Sequence, residues 1–154
     1  MAGKFMWPVP GFYRVSSGFR TEARPDHAGM DIGRNAAPPE CIEGARVVAV
    51  AGGIVIGAGA LHKSKGNWLE ICHAGGWASR YMHNLENLVG RGDAVRMGDA
   101  IALVGNTGRS FGPHLHVELI HRGRHVDPFP HLCRHLAPPG AGLFRRGAAG
   151  AARR

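Results

Sequence analysis

The residues best suited to chemistry lie in the stretch Gly112-Pro113-His114-Leu115-His116-Val117-Glu118-Leu119. Leu115, Val117 and Leu119 alternate with polar residues, the period of a half-buried β-strand, which leaves His114, His116 and Glu118 on the other face. Two imidazoles so placed can serve one metal site, one binding the ion while its neighbour handles a proton. A second group, His27-Ala28-Gly29-Met30-Asp31, sets an imidazole and a carboxylate four residues apart. Gly29 between them permits a tight bend that turns both inward. A further histidine, His83, ends a strand-like run, Trp77 to His83. A catalytic zinc takes three protein ligands from His and Asp/Glu and keeps its fourth position for water. The chain holds 10 histidines, so an isolated H-x-H arises by chance about as often as not. The weight lies in the combination.

Short Val/Ile/Leu-rich runs separated by many of the 24 glycines must position these residues, a pattern of strands and tight turns. No 3.6-period apolar stretch of useful length is present, so an all-β class is expected. Tyr13 to Ser17 reads as a short strand, and Thr21 to His27 and Asn35 to Glu43 as loops. Arg46–Val50 and Ile54–Ile56 read as paired strands around Gly52-Gly53. Asn67–His73 and Trp77–His83 read as a hairpin around Gly75-Gly76, with Tyr81 and His83 on one face. Gly92 to Ala102 reads as a compact hairpin, and residues 129–136 as a short helix. Residues 1–12 read as a lead-in, 13–136 as the domain, and 137–154 as a basic, disordered tail.

At 154 residues the chain is long enough for a substantial core, and no apolar run approaches the ~20 residues of a membrane span. The net charge is +8, with four arginines in the last 18 residues, which contain no acid. Such a balance suits an anionic partner, but nucleic-acid binding lacks any aromatic–basic interleaving or motif to support it. Cys41, Cys72 and Cys133 form no C-x-x-C pair, which excludes a thiolate zinc ribbon. A Cys41–Cys72 bridge is conceivable, and buried free thiols are the expectation. Met1 to Pro10 has no apolar signal-peptide core, so either a trimmed domain or another route of delivery is expected. Glu118 shares the face of His116 and could orient a ligand imidazole, but a solvent-facing rim carboxylate is the expectation. Trp68 and Trp77 are expected packed in the sheet, and His62 and His73 solvated. His121, His125, His131 and His135 carry no assigned role.

Taken in order, these motifs resemble the lysostaphin-type, or LytM-like, zinc metallopeptidases of peptidoglycan. The resemblance covers roughly residues 7 to 132. It runs through Ser17-Gly18-Phe19, His27 to Ile32, Val47-Val48-Ala49, Tyr81-Met82-His83-Asn84 and the Gly92–Ile101 segment. It continues through Gly105-Asn106-Thr107-Gly108, Gly112 to His116 and Val126-Asp127-Pro128. It implies one Zn2+ per chain, held by His27, Asp31 and His116, with His83 and His114 as catalytic histidines. It implies a small, twisted, mainly antiparallel and barrel-sandwich-like sheet, with a loop-walled groove for an extended peptide. The implied function is zinc-dependent endopeptidase action on peptidoglycan cross-bridges or stem peptides, outside the cell, in the wall or in the periplasm, by a monomer. A non-catalytic peptidoglycan-binding or regulatory relative is the alternative, against which the five retained positions argue. The chain departs from the family's S-G-F-G-x-R pattern in having Arg20 directly after Phe19.

Overall fold

Alternating apolar residues and glycine-marked turns produce an antiparallel architecture, seen in a computed structural model that describes residues 4–36 and 39–137. In chain order the strands are β1 (Phe5–Met6), β2 (Val15–Ser17), β3 (Met30–Ile32), β4 (Asn35–Ala36), β5 (Pro39–Glu40), β6 (Arg46–Val48) and β7 (Gly53–His62). They continue as β8 (Gly66–Cys72), β9 (Trp77–Asn87), β10 (Ala94–Val95), β11 (Ala100–Val104), β12 (Leu115–His121), β13 (Arg124–Val126) and β14 (Leu132–Cys133). The main sheet runs β10-β7-β8-β9-β12-β3-β2, with β11 bridging β6 to β9 and β13 on β12. Its path does not close into a barrel. None of the described helices is long and apolar enough to cross a membrane.

The core lies under this sheet, where Met30, Ile32, Leu69, Ile71, Tyr81, Leu115, Val117 and Leu119 are sealed from solvent. Residues ahead of Tyr13 contribute to it as well. Phe5, Trp7, Val9 and Phe12 are buried, and β1 pairs with β14. Trp77 packs edge-on against Phe5 within the core, as expected of a sheet tryptophan. Trp68 covers Gly57 and Gly59 of β7, where any side chain would strike the indole.

Several local expectations change. The β8–β9 hairpin forms as read, but β6 pairs with β11 instead of β7, so Gly52-Gly53 does not join paired strands. Residues 92–102 form no hairpin: β10 pairs with β7, while β11 pairs with β6 and β9. In both cases the strand pairs with a segment distant in sequence instead of its neighbour. Residues 129–136 yield only a 3-10 turn, Phe129–His131, before β14. The three cysteines are free, as expected, but Cys41 and Cys72 are exposed and Cys133 half-buried. The tail read over 137–154 lies outside the described residues from 138 onward.

His73 is buried, not solvated. Its Nδ1–H donates to Gly52 O (2.8 Å), so Nε2 is left to accept from Ser79 Oγ (2.7 Å). Ser79 Oγ then accepts from the Tyr81 hydroxyl (2.9 Å), which accepts in turn from Val50 N–H (3.1 Å). This directed chain keeps four buried polar groups satisfied. Burial pushes the Tyr81 phenol up to about 12. Burial also lowers His73 from its ordinary 6.5, against the opposing bond to Gly52, so the native state holds a neutral imidazole.

Because the folded value is depressed, this stabilisation is complete above pH 6.5 and is lost as pH falls through the folded value. His73→Asn is expected to cost about 1–3 kcal/mol at pH 7.5. The gap from wild type should shrink as urea midpoints are followed downward from pH 6.5. A gap constant across that range would refute a neutral His73.

Candidate metal centre

Antiparallel pairing of β3 with β12 sets Asp31 directly opposite His116, and β12 pairs His116 with Met82 of β9. His27 arrives from the loop before β3, crossing this row at Gly29. A side chain at Gly29 would collide with Val117 O, Glu118 Cγ and His116 Cε1. The glycine between the two ligand-type residues is therefore required by close approach of the loop to β12.

A regular strand would send His83 to the same side as Tyr81, into the core. Instead β9 carries an extra residue between Tyr81 and Asn84 relative to β8, and His83 has φ 65°. This β-bulge turns the imidazole into the groove beside Met82. The expectation that Tyr81 and His83 share a face fails for that reason. His114 sits in the loop just before β12, its ring 4.8 Å from that of His83.

Each histidine of the centre has one ring nitrogen committed elsewhere. His27 Nδ1–H donates to Gly18 O (2.7 Å), His83 Nδ1–H to Thr107 O (2.8 Å) and His114 Nδ1–H to Gly112 O (2.8 Å). His116 is reversed, with its Nε2–H donating to Glu118 Oε1 (3.0 Å). Asp31 Oδ2 accepts from Arg24 (3.0 Å), leaving Oδ1 turned inward. His27 Nε2, Asp31 Oδ1 and His116 Nδ1 then face one another at 2.9–3.1 Å, all three residues buried.

This arrangement gathers three acceptor atoms without a donor among them when the imidazoles are neutral, a strong demand for positive charge. Burial opposes charge on His116, but Asp31 and Glu118 push it up to about 9. Burial would raise Asp31, yet His116, His114 and His27 hold it well below the usual carboxylate range. A proton or a cation can meet this demand. The donor set of two imidazoles and one carboxylate suits zinc, and the separations approach the ~3.3 Å edge of a tetrahedron drawn at ~2.0–2.1 Å. These residues could hold a metal ion.

Glu118 corrects the expectation of a solvent-facing rim carboxylate. It is buried at 5% exposure, because the His27–Gly29 loop covers it. Its Oε2 also accepts from Arg80 Nη1 (3.0 Å) and His125 Nε2 (2.9 Å). Burial would raise its pKa, but His116, His125 and Arg80 hold it below the ordinary value. Arg80, in turn, is clamped by Glu70. Of this support, sequence reading identified only the shared face of Glu118 and His116. Arg24 and His125 each lie seven residues from the carboxylate they support and Arg80 lies thirty-eight away, and no motif marks any of the three. Burial and the neighbouring His114 and His116 lower His83, partly offset by its bond to Thr107. The five residues border a groove of about 1630 Å³. His62, His73, His121, His131 and His135 do not line it.

Residues 25–128 match Peptidase family M23. The chain belongs to peptidase family M23. Over 128 residues it is 36% identical to the peptidoglycan DD-endopeptidase ShyA of Vibrio cholerae, covering 79% of this chain and 28% of that protein. It is 37% identical over 134 residues to the murein hydrolase activator EnvC of Escherichia coli, covering 86% of this chain and 30% of that protein. The chain thus spans under a third of each of these relatives. A zinc-containing peptidase from Vibrio cholerae superposes with a TM-score of 0.67 at 33% identity, over 82% of this chain and 39% of that one.

Glu118→Ala is expected to weaken zinc affinity about ten- to a hundredfold, because His116 loses the partner that sets its tautomer. Glu118→Gln still offers an oxygen to His116 Nε2 and should lose much less. Competition against a chromophoric chelator measures both, and equal losses would refute the orienting role.

Proposed function

We propose that this chain is a zinc-dependent endopeptidase acting on the peptides of bacterial peptidoglycan, in the wall or periplasm. One observation carries the reading: three inward-facing acceptor atoms, from His27, Asp31 and His116, lie beside two further imidazoles with their Nδ1 atoms committed. A zinc ion held by the first three would supply Lewis acidity toward water and a peptide carbonyl.

The remaining chemistry belongs to His83 and His114. With Nδ1–H donating to Thr107 O and Gly112 O, each presents Nε2 to the groove. Burial keeps His83 neutral near pH 7 and able to accept a proton. Peptide hydrolysis adds water across the C–N bond, so one proton leaves the attacking water and one reaches the departing amine. Between them the two imidazoles remove the first proton and return the second. Fixed Nδ1 donors hold both rings in place without rearrangement during the reaction. Asp31 offers a single oxygen because Arg24 occupies the other, so one carboxylate offsets only part of the ion's charge.

Similarity to EnvC favours a second reading, in which the chain activates another murein hydrolase. The inward-facing acceptor set and both groove-facing imidazoles, all held in place by second partners, support hydrolysis over that reading. A purely regulatory surface has no need for them.

His116→Ala is expected to abolish zinc binding together with activity. His114→Ala should retain zinc and lose activity by about a hundredfold or more. The checks are metal content by mass spectrometry and chelator-controlled digestion of purified peptidoglycan, with mass analysis of the released peptides. Equal zinc occupancy in wild type and His116→Ala would overturn the ligand assignment. Zinc binding without release of peptides would favour the activator reading.

A further inference from the structure

The groove's charge is unevenly satisfied. Two of its arginines are committed: Arg24 to Asp31, and Arg80 to Glu70 and Glu118. Arg14, Arg34 and Arg109 also line it, are exposed, and make no ion pair among the described residues. Lys65 lines it too, with its ammonium 4.3 Å from the Trp68 ring instead of near a carboxylate. Of the groove's acids, Asp31 and Glu118 are consumed by the metal centre and its support, leaving Asp26 and Glu40 at the rim. Glu40 already accepts from Asn35.

The uncommitted cations stand on two sides. Arg14 precedes β2, the terminal strand of the sheet, and its backbone carbonyl accepts from Gly33 N–H, next to Arg34. Arg109 donates its backbone N–H to Ser64 O, and Lys65 O accepts from His83 N–H, which places this pair beyond β9. The centre of His27, Asp31 and His116 lies between them, on β3, β12 and the adjoining loop. An extended peptide crossing the centre therefore meets guanidinium groups before and after the scissile bond.

We propose that this groove selects peptides bearing free carboxylates, bound by Arg14 and Arg34 on one wall and Arg109 on the other. The proposal rests on the peptidase reading and narrows it, favouring acidic stem peptides over a neutral glycine bridge. A guanidinium offers a planar fork of donors that a carboxylate matches with two charge-assisted bonds. A glycine bridge offers only neutral carbonyls and cannot use that charge. Long-range attraction toward the same cations also makes the preference sensitive to ionic strength.

The test is a fluorescence-anisotropy titration with three rhodamine-labelled probes. They are a cell-wall stem peptide with free carboxylates, the same peptide with every carboxylate converted to carboxamide, and pentaglycine amide. The zinc-loaded His114→Ala chain avoids turnover. The free-acid peptide is expected to bind about tenfold or more tightly than either neutral probe, and to weaken several-fold as salt rises from about 50 to about 300 mM. Arg34→Gln and Arg109→Gln should each remove much of that advantage, while Arg91→Gln, outside the groove, should not. Equal affinity for the three probes, absence of binding to all of them, or indifference to Arg34→Gln and Arg109→Gln would overturn the selection. Wild-type digestion of peptidoglycan in parallel separates the two failures. Metal-dependent release of peptides with no carboxylate preference leaves the peptidase standing and removes only this proposal.

Discussion

The constraint on which the rest of the structure depends is the register between β3 and β12. Antiparallel pairing places Asp31 and His116 directly across from each other. Cross-strand side chains in such a pair are near neighbours on one face. A slip of one residue would send the acid to the core and an apolar residue to the groove. Ile32, Met30, Leu115 and Val117 prevent that slip, because each is buried on the opposite face. The apolar core thus specifies the polar centre, and the same alternation serves both.

Around that pair, a second layer determines which atoms face inward. Backbone carbonyls of Gly18, Thr107 and Gly112 settle the orientation of three histidines, while Glu118 settles the fourth. Arg24 occupies the outer oxygen of Asp31. None of these partners needs to touch a substrate. Their effect is to make five side chains converge in advance, which lowers the ordering cost of binding an ion or ligand there. The left-handed backbone at His83 belongs to the same layer. It is a local strain maintained by the surrounding β8–β9–β11 pairing, and it aims an imidazole where a regular strand could not. Arg20 shows a related strain, with φ 40° at the position where the family pattern has glycine.

The groove is a separate layer. Its floor is sheet, whereas its walls come from the residues before β2, the β4–β5 region, the β7–β8 turn and the loop before β12. Loops carry the uncommitted cations, so the charge of the groove walls can vary without disturbing the centre. The balance of Arg14, Arg34 and Arg109 against Asp26 and Glu40 is independent of the interactions that maintain the fold.

Much of this protein was determined by the sequence alone. Strand alternation around His114 and His116, the H-x-x-x-D of His27 and Asp31, and glycine-marked turns sufficed for an all-β class. Those signals are local, because side-chain period and turn chemistry are properties of a few consecutive residues. Which strands pair was not local. β6 with β11, and β10 with β7, join segments far apart in the chain. The bulge that turns His83 outward is a mismatch between two strands and has no signature in either one. Likewise, Glu118 looked solvent-facing because its strand face is polar. Only the loop crossing at Gly29, together with Arg80 and His125, made it a buried partner of His116. Sequence supplies the groups and their spacing. Tertiary structure decides which of their lone pairs point at one another, because that depends on the pairing of β3 with β12, segments far apart in the chain.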